Sequence, residues 1–192
     1  MTTIRTTVEL VSHSVCGALG AAAGVTVSVS SSNAELQVSY EIKSRLGIKV
    51  PGLRGMHAGR FNELWLRTCC ELFVRDPERP EPYLEFNFSP AGDWAFYAFD
   101  DTLRGMRSPA WPPSVRVPEV RSRSDQRPAD DFPHRLMVDV TIPRVMLGSA
   151  SQFFPTVVLE THAGTSLWAI WHPIDRPHFH HPDNFLRAVE VP

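Results

Sequence analysis

Cysteine is scarce in this chain: three residues in 192, two of them adjacent. Cys69 and Cys70 cannot easily pair with each other, so no disulfide framework can be built with Cys16 left over. The expectation is reduced thiols in a cytoplasmic protein, the adjacent pair facing opposite sides of one strand. A charge excess is also missing. The formal net charge is −2 and the signs alternate along the chain, which argues against a general nucleic-acid binder.

Long hydrophobic runs are absent as well. The nearest approach lies in Val15 to Val29, where CGALGAAAGVTVSV is small, weakly apolar and far shorter than the ~20 residues of a spanning helix. Poor in Leu, it makes a weak export signal, and VTVSV reads as a strand. No membrane partner is expected. No internal repeat is visible, nor any 3.6-residue period of useful length.

What the chain does contain is strand signal. Glu35–Ile42 alternates most cleanly, with Leu36, Val38, Tyr40 and Ile42 on one face. Further runs are predicted over Thr6–Val11, Val25–Ser30, Leu64–Arg75, Tyr83–Ser89, Trp94–Asp100, Leu136–Ile142, Thr156–His162, Leu167–His172 and Phe185–Val191. Turn material such as DPERPEP, SPAGD and HAGTS separates them. Lys43–Glu63 and the proline-rich Arg107–Pro133 read as long loops, and Ile142–Gln152 as a short helical turn. About ten short strands with scarcely any helix predict an all-β, single-domain antiparallel β-sandwich over residues 1–192, with a closed barrel as runner-up.

Two blocks are dense in chemically capable residues. In Tyr83–Ser89, alternation sets Glu85 and Asn87 opposite Leu84, Phe86 and Phe88. A hairpin across DPERPEP would bring Glu71 to the same face, where two carboxylates and an amide could hold a calcium ion, a sugar hydroxyl or an Arg. Trp94 and Trp171 stand at strand ends, where aromatic faces suit the C–H face of a sugar ring. Arg104 precedes Gly105, a candidate tight turn, and offers a fork of donors. In the second block, His172, His178, His180 and His181 fall close together. In extended chain His178 and His180 point one way, as two metal ligands would, with His172 or Asp183 as a third, yet the spacing matches no zinc signature. Met56 and Met106 are candidate axial haem ligands opposite a His.

These blocks resemble the DOMON-like proteins, in particular a bacterial branch of single-domain members. The resemblance rests on Leu64-Trp65, Thr68-Cys69, Glu71 and Phe73, then on Tyr83 through Pro90 with Gly92, Trp94-Ala95 and Tyr97. Arg104-Gly105-Met106, Trp168-Ala169, His172-Pro173, Phe179-His180-His181 and Phe185 complete it. It departs at Cys70, where Phe is usual, and at His178, where Asp is expected. The wider superfamily is similar to family 9 carbohydrate-binding modules and to haem-binding domains of extracellular dehydrogenases. It implies a β-sandwich holding a sugar or haem, generally without catalysis by the domain itself. Without a convincing export signal the reading favours a sugar or related polar metabolite over haem. Trp94 and Trp171 would be the walls. Glu71, Glu85, Asn87, Arg104 and His172 would make the polar contacts, and His178, His180 and His181 one rim. No catalytic residue is assigned. Alternatives are a haem protein, a metal-dependent enzyme built on the His loop, and a module that meets a protein partner.

Overall fold

The computed structural model describes residues 4–52 and 59–190, so the candidate haem ligand Met56 lies outside the described residues. The strands are β1 (Ile4–Ser12), β2 (Ala23–Ser31), β3 (Glu35–Ser44), β4 (Cys69–Asp76), β5 (Arg79–Phe88), β6 (Trp94–Phe99), β7 (Glu119–Gln126), β8 (His134–Pro143), β9 (Gln152–Thr161), β10 (Gly164–Ala169) and β11 (Val189–Glu190). They run side by side in the order β6-β5-β4-β9-β10-β1-β2-β3-β8-β7, all pairs antiparallel, with β11 added to β9. β1 joins the two halves: Ile4 to Leu10 pair with β2, while Val11 and Ser12 pair with β10. The path therefore folds over itself into two facing layers, an almost closed barrel flattened into a sandwich. The all-β expectation holds.

The space between the layers is filled by alternation. Val25, Val27 and Val29 of β2, Leu36, Val38, Tyr40 and Ile42 of β3, and Leu136, Val138, Val140 and Ile142 of β8 point inward from one layer. Cys70, Leu72 and Val74 of β4, Phe86 and Phe88 of β5, and Val157 and Leu159 of β9 meet them from the other. Tyr40 crosses the gap, and its hydroxyl donates to the Glu71 carbonyl at 2.7 Å, so the polar tip is satisfied inside the core.

The layer made of β6, β5, β4, β9 and β10 is buried on its outer face too. Cys69, Phe73, Tyr83, Tyr97, Phe99 and Phe154 form a second apolar cluster there, covered by Leu64 and Phe185. Every residue from Cys69 to Val74 is buried, because β4 serves both clusters in alternation. Cys69 and Cys70 do face opposite sides, both as free thiols.

Several boundaries differ from expectation. β7 lies inside the stretch read as a loop; its residues 121–126 are exposed, so no apolar alternation announces it and only its ladder to β8 defines it. Leu64–Leu66 is a 3-10 turn rather than strand, entered through Glu63 at φ 61°. Pro182–Arg187 is another, with His181 as its cap, and among the described residues of the predicted final strand Val189–Glu190 form the strand. A 3-10 turn at Ser14–Cys16 and α1 (Gly17–Ala21) interrupt the N-terminal region. Arg144–Met146 forms the expected short helical turn. No helix among the described residues is long and apolar enough to cross a membrane.

Candidate functional site

The register of the outer face assembles a polar row from three strands. Glu71 of β4 lies opposite Asn87 of β5 on one side and Thr156 of β9 on the other. In the next row Glu85 lies between Tyr97 of β6 and Phe73 of β4. The hairpin predicted across DPERPEP thus exists and sets Glu71 and Glu85 diagonally on one face.

Above these rows is a cavity of about 470 Å³. Glu71, Glu85, Phe99, Val158 and Leu167 line it from the strands. Trp65 closes it from the 3-10 turn before β4, Leu103 and Met106 from the turn after β6, and Pro177, His178, Phe179 and His180 from the segment after β10. In the turn after β6, Gly105 has φ 62° and packs so closely on Asp100 that a Cβ would collide with its carboxylate. That turn sends Met106 toward the cavity and Arg104 away from it.

Both carboxylates are nearly sealed, Glu71 at 2% and Glu85 at 4% exposure. The Thr156 hydroxyl donates to Glu71 Oε2 at 2.7 Å, and the Asn87 amide donates to Glu85 Oε1 at 2.6 Å. These bonds only partly offset the cost of burying charge. Burial, with the neighbouring Glu85 charge adding to it, pushes the Glu71 carboxyl up to about 8. Burial likewise pushes Glu85 up to about 7, against the pull of Asn87. The pair therefore gives up its protons around neutrality.

His180 does not serve as their counter-cation. Its Nε2 stands 3.7 Å from Glu85 Oε2, beyond a hydrogen bond, and burial followed by the nearness of His178 pushes the ring down to about 4. Neutral at pH 7, it shares a 2.9 Å hydrogen bond between Nδ1 and the Tyr83 hydroxyl and packs against Phe73 and Phe99. Among the described residues the buried His178 Nδ1 has no hydrogen-bond partner.

The structure gathers Glu71, Glu85, His178 and His180 at the cavity, with Asn87 fully buried behind Glu85. The other candidates lie elsewhere. Trp94 shares the inward face of β6 with Phe96 and is 5% exposed in the inter-layer core, against Trp111 and under the Arg60 guanidinium. It is not a cavity wall. Trp171 packs beneath Arg187 at the edge of the covering segment. The Arg104 side chain is 82% exposed and faces Asp101. His172 turns toward β1, where its Nε2 bonds the Val11 carbonyl at 3.0 Å. The His181 ring accepts from the Asp183 N–H as a helix cap. Trp65, Leu103 and Phe179 were missed, because turns rather than strand alternation place them.

Among the described residues no three His, Cys, Asp or Glu side chains are grouped to hold a metal ion. Haem fits poorly as well. Met106 and His178 line the same cavity, but its described lining carries two buried carboxylates and no Lys or Arg that could pair a haem's propionates.

Fold and cavity together define an all-β protein with a ligand-sized chamber on the outer face of one layer. No family model matches the chain, and no curated protein matches it. Among solved structures it is similar to a crystal structure of a putative carbohydrate-binding protein from Bacteroides uniformis, at 16% identity. The match covers 97% of this chain and 85% of that one, with a TM-score of 0.59. At that identity the likeness establishes a shared fold.

Proposed function

We propose that the protein binds a small polar ligand, a sugar or sugar derivative first, in the chamber above Glu71 and Glu85, and does so without transforming it. The observation that carries this reading is the chamber itself: about 470 Å³, apolar and aromatic around a few buried polar groups. Trp65 adds aromatic surface to the lining, while the free carboxylate oxygens and the His178 ring offer polar contacts. The fold shared with a protein described as carbohydrate-binding supports it, as does the DOMON-like pattern in the sequence. Three unpaired thiols support a cytoplasmic setting.

Calorimetric titration with a panel of monosaccharides and disaccharides tests the reading, with Glu85→Ala as the control. Saturable heat that Glu85→Ala weakens in a still-folded protein is the expected result. A panel without any saturable binder, or binding indifferent to Glu85→Ala and Trp65→Ala, would refute this site.

A further inference from the structure

The charge in the chamber is one-sided. Two carboxylates, 2% and 4% exposed, face a cavity whose described lining contains no Lys or Arg. The imidazole closest to them is neutral at pH 7. A carboxylate taken out of water needs a proton, a cation or several donors. In the free protein a proton does this, and a bound cation would do it better.

Hydrogen-bond valence points the same way. Each carboxylate has one oxygen engaged, Glu71 by Thr156 and Glu85 by Asn87. The remaining oxygens, Glu71 Oε1 and Glu85 Oε2, have no hydrogen-bond partner among the described residues. His178, which lines the same cavity, has its Nδ1 buried with no hydrogen-bond partner among the described residues. With the pair ionised, the chamber offers these two oxygens as acceptors and no Lys or Arg donor in its described lining to meet them. An ammonium group supplies three donors and no acceptor, whereas a neutral hydroxyl supplies one. Trp65, half-buried in the lining, adds aromatic surface of the kind that attracts a cation.

We propose that the chamber selects ligands carrying a positively charged nitrogen, an amino sugar or comparable small amine, with that nitrogen seated between Glu71 and Glu85. This rests on the chamber being the ligand site and specifies the class of ligand it takes. Binding of such a cation expels the proton that the carboxylate pair holds near neutrality. The other titratable groups facing the pair do not compete in that range: burial raises Cys69, Tyr83 and Tyr97 and lowers His178 and His180.

Calorimetry on the wild-type protein with glucose, N-acetylglucosamine, glucosamine and methylguanidinium decides the matter. At about pH 6.5 the amine of glucosamine is largely protonated. It should then bind roughly tenfold tighter than the two neutral sugars, the scale expected of a desolvated cation between carboxylates and rings. Repeating the titration in buffers of different ionisation heat should show proton release with glucosamine and none with glucose. In Glu71→Gln and Glu85→Gln the preference should shrink. Equal or tighter binding of the neutral sugars would overturn the cation preference and leave the sugar reading standing. Binding of methylguanidinium alone would support the cation site and remove the sugar. Silence from all four probes would overturn both, and these wild-type comparisons do not depend on a variant folding.

Discussion

Glu71→Gln should make the protein more stable, by a margin that grows as pH rises from about 4.5 to about 8. The substitution keeps shape and leaves an oxygen for the Thr156 hydroxyl, which now donates to Glu71 at 2.7 Å. What it removes is a charge buried at 2% exposure. Burial lifts this carboxyl from 4.5 to about 8, so the folded chain holds the proton more tightly than the unfolded chain does. Its contribution to stability is therefore fully present below about pH 4.5 and is lost as pH rises through about 8. At about 1.4 kcal/mol per unit the full loss approaches ~5 kcal/mol, and structural relaxation with water entering the cavity brings the measurable part to ~2–4 kcal/mol. The glutamine variant has no such loss. Urea denaturation should find the two proteins within ~0.5 kcal/mol near pH 5, and the variant ahead by ~2–4 kcal/mol near pH 9. In thermal melts that gain corresponds to roughly 4–16 °C for a chain of this size. A difference that does not change with pH, or a variant weaker at pH 9, would show that Glu71 is solvated or already paired with a cation.

Three further outcomes follow from the same geometry. Cys69 and Cys70 have 0% exposure and thiols raised by burial, so native protein should yield a single reactive thiol, Cys16, to a disulfide reagent, and three after denaturation; fast modification of a second thiol would contradict the packing. Trp94→Ala should cost about 3–5 kcal/mol by opening the inter-layer core, whereas Arg104→Ala, with its exposed side chain, should stay within about 0.5 kcal/mol; paired denaturation curves check the contrast. The His180 ring resonances should stay those of a neutral imidazole from pH 8 down to about 5, since the ring titrates at about 4; a midpoint near 6.5 would mean that the ring is open to water.

Where alternation controlled the structure, the sequence was readable. Leu36, Val38, Tyr40 and Ile42 announce β3, and Glu71, Glu85 and Asn87 come together because two alternating strands share a hairpin. Trp94 shows the limit of that reasoning. Its place at a strand end suggested the mouth of the sandwich, but its parity with Phe96 and Phe88 commits it to the core. The histidines show another limit. An extended chain would set His178 and His180 on one side, and both do line the chamber, yet the chain there turns instead of extending, which makes His181 a cap. β7 was hidden because an edge strand exposed along most of its length needs no apolar residues, only a neighbour with free backbone groups.

The strict division of β4 and β5 between two faces also protects against mispairing during folding. A slip of one residue in either strand would exchange their faces. Glu71, or Glu85 together with Asn87, would then enter the inter-layer core among Val38, Tyr40 and Phe153, away from Thr156 and from the chamber. Phe86 or Leu72 would in turn be pushed out beneath the covering loops. The carboxylates that burden the correctly paired sheet burden its mispaired rival more, so the residues that equip the chamber for a ligand also act as spelling checks on the ladder that builds it.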